Sequence, residues 1–359
     1  MTYNFNPGPA MLPPEVMQQA QSEFCDYNDL GCGIVELSHR SGEFDAVRER
    51  AEQNIRELAS LADNTAVLFL QGGASLQFAM VPMNLLTSGA TADYVDTGPW
   101  SSKAIKEAGL IGHVRVIAGG KETGYTAIPD SAAWELDDAA AYLHITSNNT
   151  IAGTQYSVWP SIPDAVPLIC DMSSDIFSRD IDFNRFGLIY AGAQKNLGPS
   201  GVTVVLIRKE LADRVPDSVP GILRYTTHIE GKSVYNTPST FGIYMVAMVT
   251  DWMKRQGGLG AIERINDQKK KTLYDLIDAD DFYRGTADPG SRSKMNVCFR
   301  LADEELEKIF LAESAAAGFM GLKGHRSVGG MRASIYNAMP LDGVVSLADF
   351  MREFRRRNG

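Results

Sequence analysis

The stretch Gly187–Val205, GLIYAGAQKNLGPSGVTVV, constrains the fold of this chain more than any other. Two apolar runs, Leu188–Ala191 and Val202–Ile207, flank a turn of Gly, Pro, Ser and Asn with Lys195 at its centre. Runs this short and uniformly apolar suit strands buried on both faces. An ammonium resists desolvation, so a lysine held between such strands sits there against its solvation preference. Burial lowers its pKa and frees the amine as a nucleophile. The alternative is a surface lysine on a hairpin turn, and a second stretch bears on the choice. Pro167–Ser174, PLICDMSS, reads as a buried strand ending in a carboxylate, Asp171. Ligands of open α/β sheets sit beyond the carboxyl ends of the strands, so Asp171 and Lys195 are expected to face one pocket.

Along the chain, the runs 66–71, 93–98, 113–119, 141–148, 167–171, 187–193 and 201–208 read as strands, several separated by helical patterns such as 101–109. That alternation predicts an α/β fold with a mostly parallel, doubly wound sheet in a large domain. Gly72-Gly73-Ala74-Ser75 lies between a strand and a helix, where free backbone N–H groups and the helix dipole suit a phosphate, although glycines there also serve the turn alone. Trp100 follows a strand's carboxyl end, where an indole either stacks on a flat ligand ring or packs in the core. No GxGxxG follows the first strand, which disfavours a nicotinamide enzyme. The segment 222–242 reads as irregular, with a helix from there to about Arg255. Gly257-Gly258 is a natural linker to a smaller α+β C-terminal domain, whose first helix spans about 259–278. The run Lys269-Lys270-Lys271 on that helix is expected to be a solvated face. The predicted division is an N-terminal arm, 1–15, joining the small domain; a large cofactor-binding domain, 16–256; and the small domain, 257–359.

A net charge of −10 argues against a general nucleic-acid binder but allows a local basic pocket for a small anion. Four cysteines without a CxxC pair indicate neither a disulfide framework nor a zinc site, and read as reduced thiols. With no signal-like N-terminus and no apolar run of about 18 residues, the expected location is the cytoplasm.

An acid aimed at a pyridinium nitrogen and a lysine forming a Schiff base are the two protein groups expected of pyridoxal phosphate enzymes. The chain resembles the phosphoserine aminotransferases, class-V members of the fold type I pyridoxal phosphate enzymes. The likeness runs from NFNPGPAMLP through SHRSGEF, QGGASLQFAM, DTGPWS, SNNTIAGTQ, CDMSSD, AGAQKNLGPSGV and YNTPSTFGIY to KGHRSVGGMRASIYNAMP, essentially the whole chain. It implies a pyridoxal 5'-phosphate cofactor linked to Lys195 and held by Asp171 at the ring nitrogen. Trp100 would stack on the ring, Thr150 would bond its phenolic oxygen, and Ala74, Ser75 and Gln194 would hold its phosphate. Asn236 and Thr237 would reach that phosphate from a second subunit, which implies a homodimer with shared sites.

The implied substrates are L-glutamate and 3-phosphohydroxypyruvate, exchanged by ping-pong transfer into 2-oxoglutarate and O-phospho-L-serine. The resemblance also allows 4-phosphohydroxythreonine, of vitamin B6 synthesis, as a second product. Arg332 would fork the α-carboxylate, and His39, Arg40, His325 and Arg326 would receive the distal anion. Members with serine before Gly8 can offer a hydroxyl there; Pro7 cannot. Two other readings stand beside this one. A cysteine desulfurase needs a cysteine on a mobile loop, whereas Cys298 sits in the strand-like NVCFRL; a transaminase of small uncharged substrates has no use for the two His-Arg pairs. A non-catalytic binding protein on the same scaffold has no use for Lys195, Asp171 and Gln194 together.

Overall fold

The computed structural model describes residues 2–359. The N-terminal arm carries a two-residue strand, β1 (Tyr3–Asn4), and leads into α1 (Pro14–Glu23) and α2 (Gly42–Leu58). Proline opens α1, where a missing N–H costs nothing, and the Ser41 hydroxyl caps α2 by accepting from the Phe44 N–H at 3.2 Å. The alternation then begins with β2 (Thr65–Leu70), α3 (Gly73–Leu85), β3 (Thr91–Asp96), α4 (Pro99–Ala108) and β4 (His113–Gly119). β5 (Leu143–Thr146) runs into a small hairpin of β6 (Asn148–Asn149) and β7 (Thr154–Gln155). β8 (Leu168–Asp171), β9 (Leu188–Gly192) and β10 (Thr203–Arg208) follow, and α5 (Lys209–Ala212), α6 (Tyr225–Glu230) and α7 (Thr240–Arg255) complete this part.

Seven strands form one sheet in the order β2-β10-β9-β8-β5-β3-β4. All run in one direction except β10, which is antiparallel to both neighbours. The predicted mostly parallel sheet is present, and its one reversal has a local cause. Only Ala193 to Val202 separate β9 from β10, fewer residues than a parallel crossover needs. Apolar side chains leave the sheet on both faces. Ile189, Ala191, Val204 and Leu206 pack in a cluster with residues of α1, α2 and α7, while Leu188, Tyr190, Val205 and Ile207 pack with residues of α3, α4, α5 and α6. Burial on both faces is why these strands read as continuous apolar runs.

Gly257 and Gly258, both in the left-handed region (φ 98° and 75°), turn the chain from α7 into α8 (Leu259–Ile277). β11 (Arg284–Gly285), β12 (Asn296–Arg300), α9 (Glu304–Ala316), β13 (Phe319–Met320), β14 (Met331–Ser334) and α10 (Leu341–Asn358) follow. β11, β12 and β14 make an antiparallel sheet, and β1 of the arm pairs with β13. This part has its own apolar cluster, to which the arm contributes Phe5. Leu259 and Ile262 of α8 still belong to the large-sheet cluster, whereas Leu273, Tyr274 and Leu276 belong to the small one, so α8 bridges the two cores.

Two expectations are corrected. The segment 222–242 is not wholly irregular: Tyr225 opens α6, its backbone N–H donating to Asn84 and its hydroxyl to Gln77, tertiary contacts that local propensity does not encode. The run 269–271 is not a solvated face, because Lys269 is 0% exposed and its ammonium donates to three backbone carbonyls. A helix turns 100° per residue, so three consecutive lysines cannot share one face, and the first of them points inward. No helix among the described residues is long and apolar enough to cross a membrane.

Ile189, the second residue of β9, lies 1% exposed. Ile189→Ala is expected to destabilise the protein by about 2–5 kcal/mol through lost burial and the cavity left behind, measured by urea denaturation.

Candidate active site

β2, β3, β5, β8 and β9 all end at the same edge of the large sheet, and a cavity of about 260 Å³ opens there. Each strand end delivers side chains or backbone to it. Gly73, Ala74 and Ser75 come from the first turn of α3, Trp100 from the first turn of α4, Thr146, Asn148 and Thr150 from β5 and its hairpin, Asp171 from β8, and Gln194 and Lys195 from the β9–β10 turn. Two walls come from elsewhere: Pro7 and Gly8 of the arm, and His325 and Arg332 from around β14.

Lys195 is half-buried, and its Nζ donates to the Thr150 hydroxyl at 2.9 Å. Its pKa is pulled down to about 8, first by burial and then by the like charge of Arg332, against the attraction of Asp171 and Asp175. Asp171 is buried at the end of β8, where its Oδ1 accepts the Ser173 N–H at 2.8 Å. Burial pushes its carboxyl upward, opposed by the Ser173 bonds and by the Lys195 charge. Behind it the buried Asp175 accepts from the Ser147 hydroxyl and, at 2.9 Å, from Gln155. Arg332 is buried and reaches across from the small sheet, its Nη1 donating to the Thr150 carbonyl at 3.1 Å. Its buried Nε has no protein partner, and neither has the buried Trp100 Nε1.

The start of α3 is a cradle of the kind an anion takes. Gly72 precedes it in the left-handed region (φ 88°), no side chain caps it, and its first N–H groups lack helical partners. Gly8, at φ 132°, presses on the lysine from the other side; a Cβ there would come within 3.2 Å of the Lys195 Cγ. His325 stands at the rim with its Nδ1 2.7 Å from the Ser327 hydroxyl. Its pKa is lowered by partial burial and by Arg332, Arg326 and Lys103, so the rim carries excess positive charge. Lys103, whose ammonium lies 4.4 Å over the Trp100 ring, belongs to that rim and was not singled out from the sequence.

The cavity therefore brings together Ala74, Ser75, Trp100, Thr150, Asp171, Gln194, Lys195, His325 and Arg332. It does not include His39, Arg40, Arg326, Asn236 or Thr237 of the same chain. Arg40, Asn236 and Thr237 are exposed; Asn236 donates to the Gln71 side chain at 3.2 Å, and Gln71 donates to the Thr237 carbonyl at 3.4 Å. Residues that sequence reasoning passed over include Ser173, Ser174 and Asn148, although they lie inside the quoted stretches CDMSSD and SNNT. Among the described residues no group of three or more His, Cys, Asp or Glu side chains could hold a metal ion.

The model of the class-V aminotransferases matches residues 2–347. The phosphoserine aminotransferase of Geobacillus kaustophilus is 55% identical over 99% of this chain and 98% of its own length, and that of Lysinibacillus sphaericus is likewise 55% identical. The chain belongs to the phosphoserine aminotransferase family of class-V aminotransferases. The solved phosphoserine aminotransferase from Bacillus circulans subsp. alkalophilus superposes with a TM-score of 0.98 at 52% identity, covering 100% of this chain and 99% of that one. A pyridoxal phosphate-bound phosphoserine aminotransferase from Trichomonas vaginalis superposes at 0.92 with 34% identity, over 98% of this chain and all of that one. This aminotransferase thus shares the fold of its relatives from end to end, and it is a transaminase.

A lysine titrating near pH 8 separates from ordinary surface lysines in a simple experiment. In cofactor-free protein the acetylation rate of Lys195, followed by mass spectrometry against pH, is expected to reach half its maximum near pH 8. Arg332→Gln removes a like charge and moves that midpoint up; Asp171→Asn removes the attracting one and moves it down.

Proposed function

We propose that this chain transfers the amino group of L-glutamate to 3-phosphohydroxypyruvate, giving 2-oxoglutarate and O-phospho-L-serine, with pyridoxal 5'-phosphate as cofactor. The reading is supported above all by one cavity that pairs a lysine of depressed pKa with a buried carboxylate. The donor set fits the cofactor: Asp171 for its ring nitrogen, Trp100 for its face, Thr150 for its phenolic oxygen, the Ala74 and Ser75 N–H groups with Gln194 for its phosphate, and Lys195 for its aldehyde. Bound there, pyridoxal 5'-phosphate supplies an electron sink for charge developing at the substrate Cα.

The chain's own residues do the rest. The Lys195 amine, at about 8, is substantially unprotonated at mildly alkaline pH and is the base for the Cα proton. Arg332, its Nη1 tied to the Thr150 carbonyl, offers the rest of its fork to the substrate α-carboxylate, which fixes the Cα–H relative to that amine. Pro7, Gly8, Trp100 and Ile151 line the cavity with apolar surface that excludes water. His325 and Arg326 at the rim, with His39 and Arg40, receive the distal phosphate or the γ-carboxylate. Since His39, Arg40, Asn236 and Thr237 stand outside their own chain's cavity, the complete site is proposed to form in a homodimer that supplies them across the interface. The setting we propose is serine biosynthesis in the cytoplasm.

A coupled assay for 2-oxoglutarate release compares phosphorylated with unphosphorylated hydroxypyruvate as amino acceptor. Loss of a group that several charged donors are built to hold is expected to lower kcat/KM on the order of 10⁴-fold. Equal rates on the two acceptors remove the substrate assignment, and full activity in Lys195→Ala removes the chemistry.

A further inference from the structure

Lys269 is fully buried on α8, and no carboxylate among the described residues pairs with it. Its Nζ donates to the carbonyls of Ile335 at 2.9 Å, Tyr336 at 2.7 Å and Met339 at 3.1 Å. An ammonium has three N–H donors, and here each meets one carbonyl of the turn between β14 and α10. Burial alone pulls its pKa down to about 7, while three carbonyl acceptors favour the charged form. A cation sealed without a counter-ion is expensive to keep for packing alone, since an apolar side chain of the same length fills the space.

The turn that it pins touches the neighbourhood of Lys195 from two sides. On one side the Asn337 N–H donates to the Asn196 Oδ1 at 3.1 Å, and the Asn196 side chain donates onward to the Ile176 carbonyl at 3.0 Å. The Asn337 side chain is itself held, donating to the Phe177 carbonyl at 2.9 Å and accepting from Asn266 of α8 at 2.9 Å. On the other side the Tyr336 hydroxyl donates to the Pro7 carbonyl at 2.8 Å, which sets the arm whose Gly8 presses on the Lys195 stem. The arm then closes the loop, the Ala10 N–H donating to the Gln194 carbonyl at 2.9 Å.

We propose that Lys269 is a positioning residue for Lys195: by pinning the 335–339 turn it fixes both the residue that follows the lysine and the arm that covers its stem. It touches neither substrate nor cofactor. This rests on Lys195 being the reacting amine, an assignment tested independently by Lys195→Ala.

The decisive variant is Lys269→Met, with Lys269→Gln as a milder companion that keeps amide donors. In the holoenzyme kcat is expected to fall by roughly 10- to 100-fold with the glutamate KM little changed, since a displacement of about 1 Å at the reacting group costs that much. In cofactor-free protein, amide hydrogen exchange over 194–196 and 336–337 should quicken, and the pH midpoint for acetylation of Lys195 should move. Asn196→Ala removes the Oδ1 that accepts the Asn337 N–H, so it cuts one of the two routes and should reproduce part of the kcat loss; Lys269→Met added to it should cost less than it does alone. A lowered melting temperature with unchanged kcat, exchange and midpoint assigns Lys269 to stability only and overturns the proposal. Should neither Lys269 variant fold, normal kcat and exchange in both Asn196→Ala and Tyr336→Phe overturn it equally, because the routes would then carry nothing.

Discussion

The site depends on keeping an amine partly out of water beside a buried acid and a buried guanidinium. Desolvation and the Arg332 charge pull the Lys195 pKa down, while Asp171 and Asp175 pull it up, and the balance leaves it at about 8. At about 1.4 kcal/mol per unit, a depression of this size represents a few kcal/mol of strain against the protonated form. That strain must be held by structure that does not relax, since a cavity open to water would return the amine to its ordinary range. The walls answer this need: each wall segment is the end of a buried strand, the first turn of a helix seated on the sheet, or a loop tied by named hydrogen bonds.

Electrostatic tension of this kind explains why the cavity draws on both cores. A sheet edge alone supplies the acid, the lysine and the anion cradle, all of which come from the ends of strands pointing one way. It leaves the cavity uncovered. The arm pairs with β13 of the small part, and β14 carries Arg332 back to the Thr150 carbonyl, so the second core provides the lid and the cation that tunes the amine. α8, whose first turn lies in one core and whose later turns lie in the other, fixes the relation between them.

Much of this was legible in the sequence because both faces of the large sheet are buried. Uniform apolar runs marked β8, β9 and β10, and a polar residue closing such a run, Asp171 or Lys195, stood out against them. What was not legible has a common physical form. The direction of β10 is set by the length of a turn, not by periodicity. α6 exists because Tyr225 finds Asn84 and Gln77, more than a hundred residues earlier. The inward Lys269 carries the same letter as its exposed neighbour Lys271, and only the carbonyls of a turn some seventy positions later distinguish them. The residues left outside the cavity, His39, Arg40, Asn236 and Thr237, came from motif resemblance, which carries no information about which chain's cavity a loop serves.

The reversed strand is the feature that ties fold to chemistry. Parallel neighbours must be joined by a crossover, normally a helix, and a residue on such a connection leaves the sheet along a long path. Because β10 runs antiparallel to β9, the connection between them collapses to a tight turn, anchored by the Ala193 N–H to the Val202 carbonyl at 2.9 Å. Lys195 sits in that turn with a fully buried strand on either side, so its backbone has little freedom to move. The acid, by contrast, needs no such restraint beyond its place at the end of β8. A single change of strand direction thus gives the nucleophile a short, stiff mounting at the same edge where β2, β3, β5 and β8 deliver their ends to the cavity.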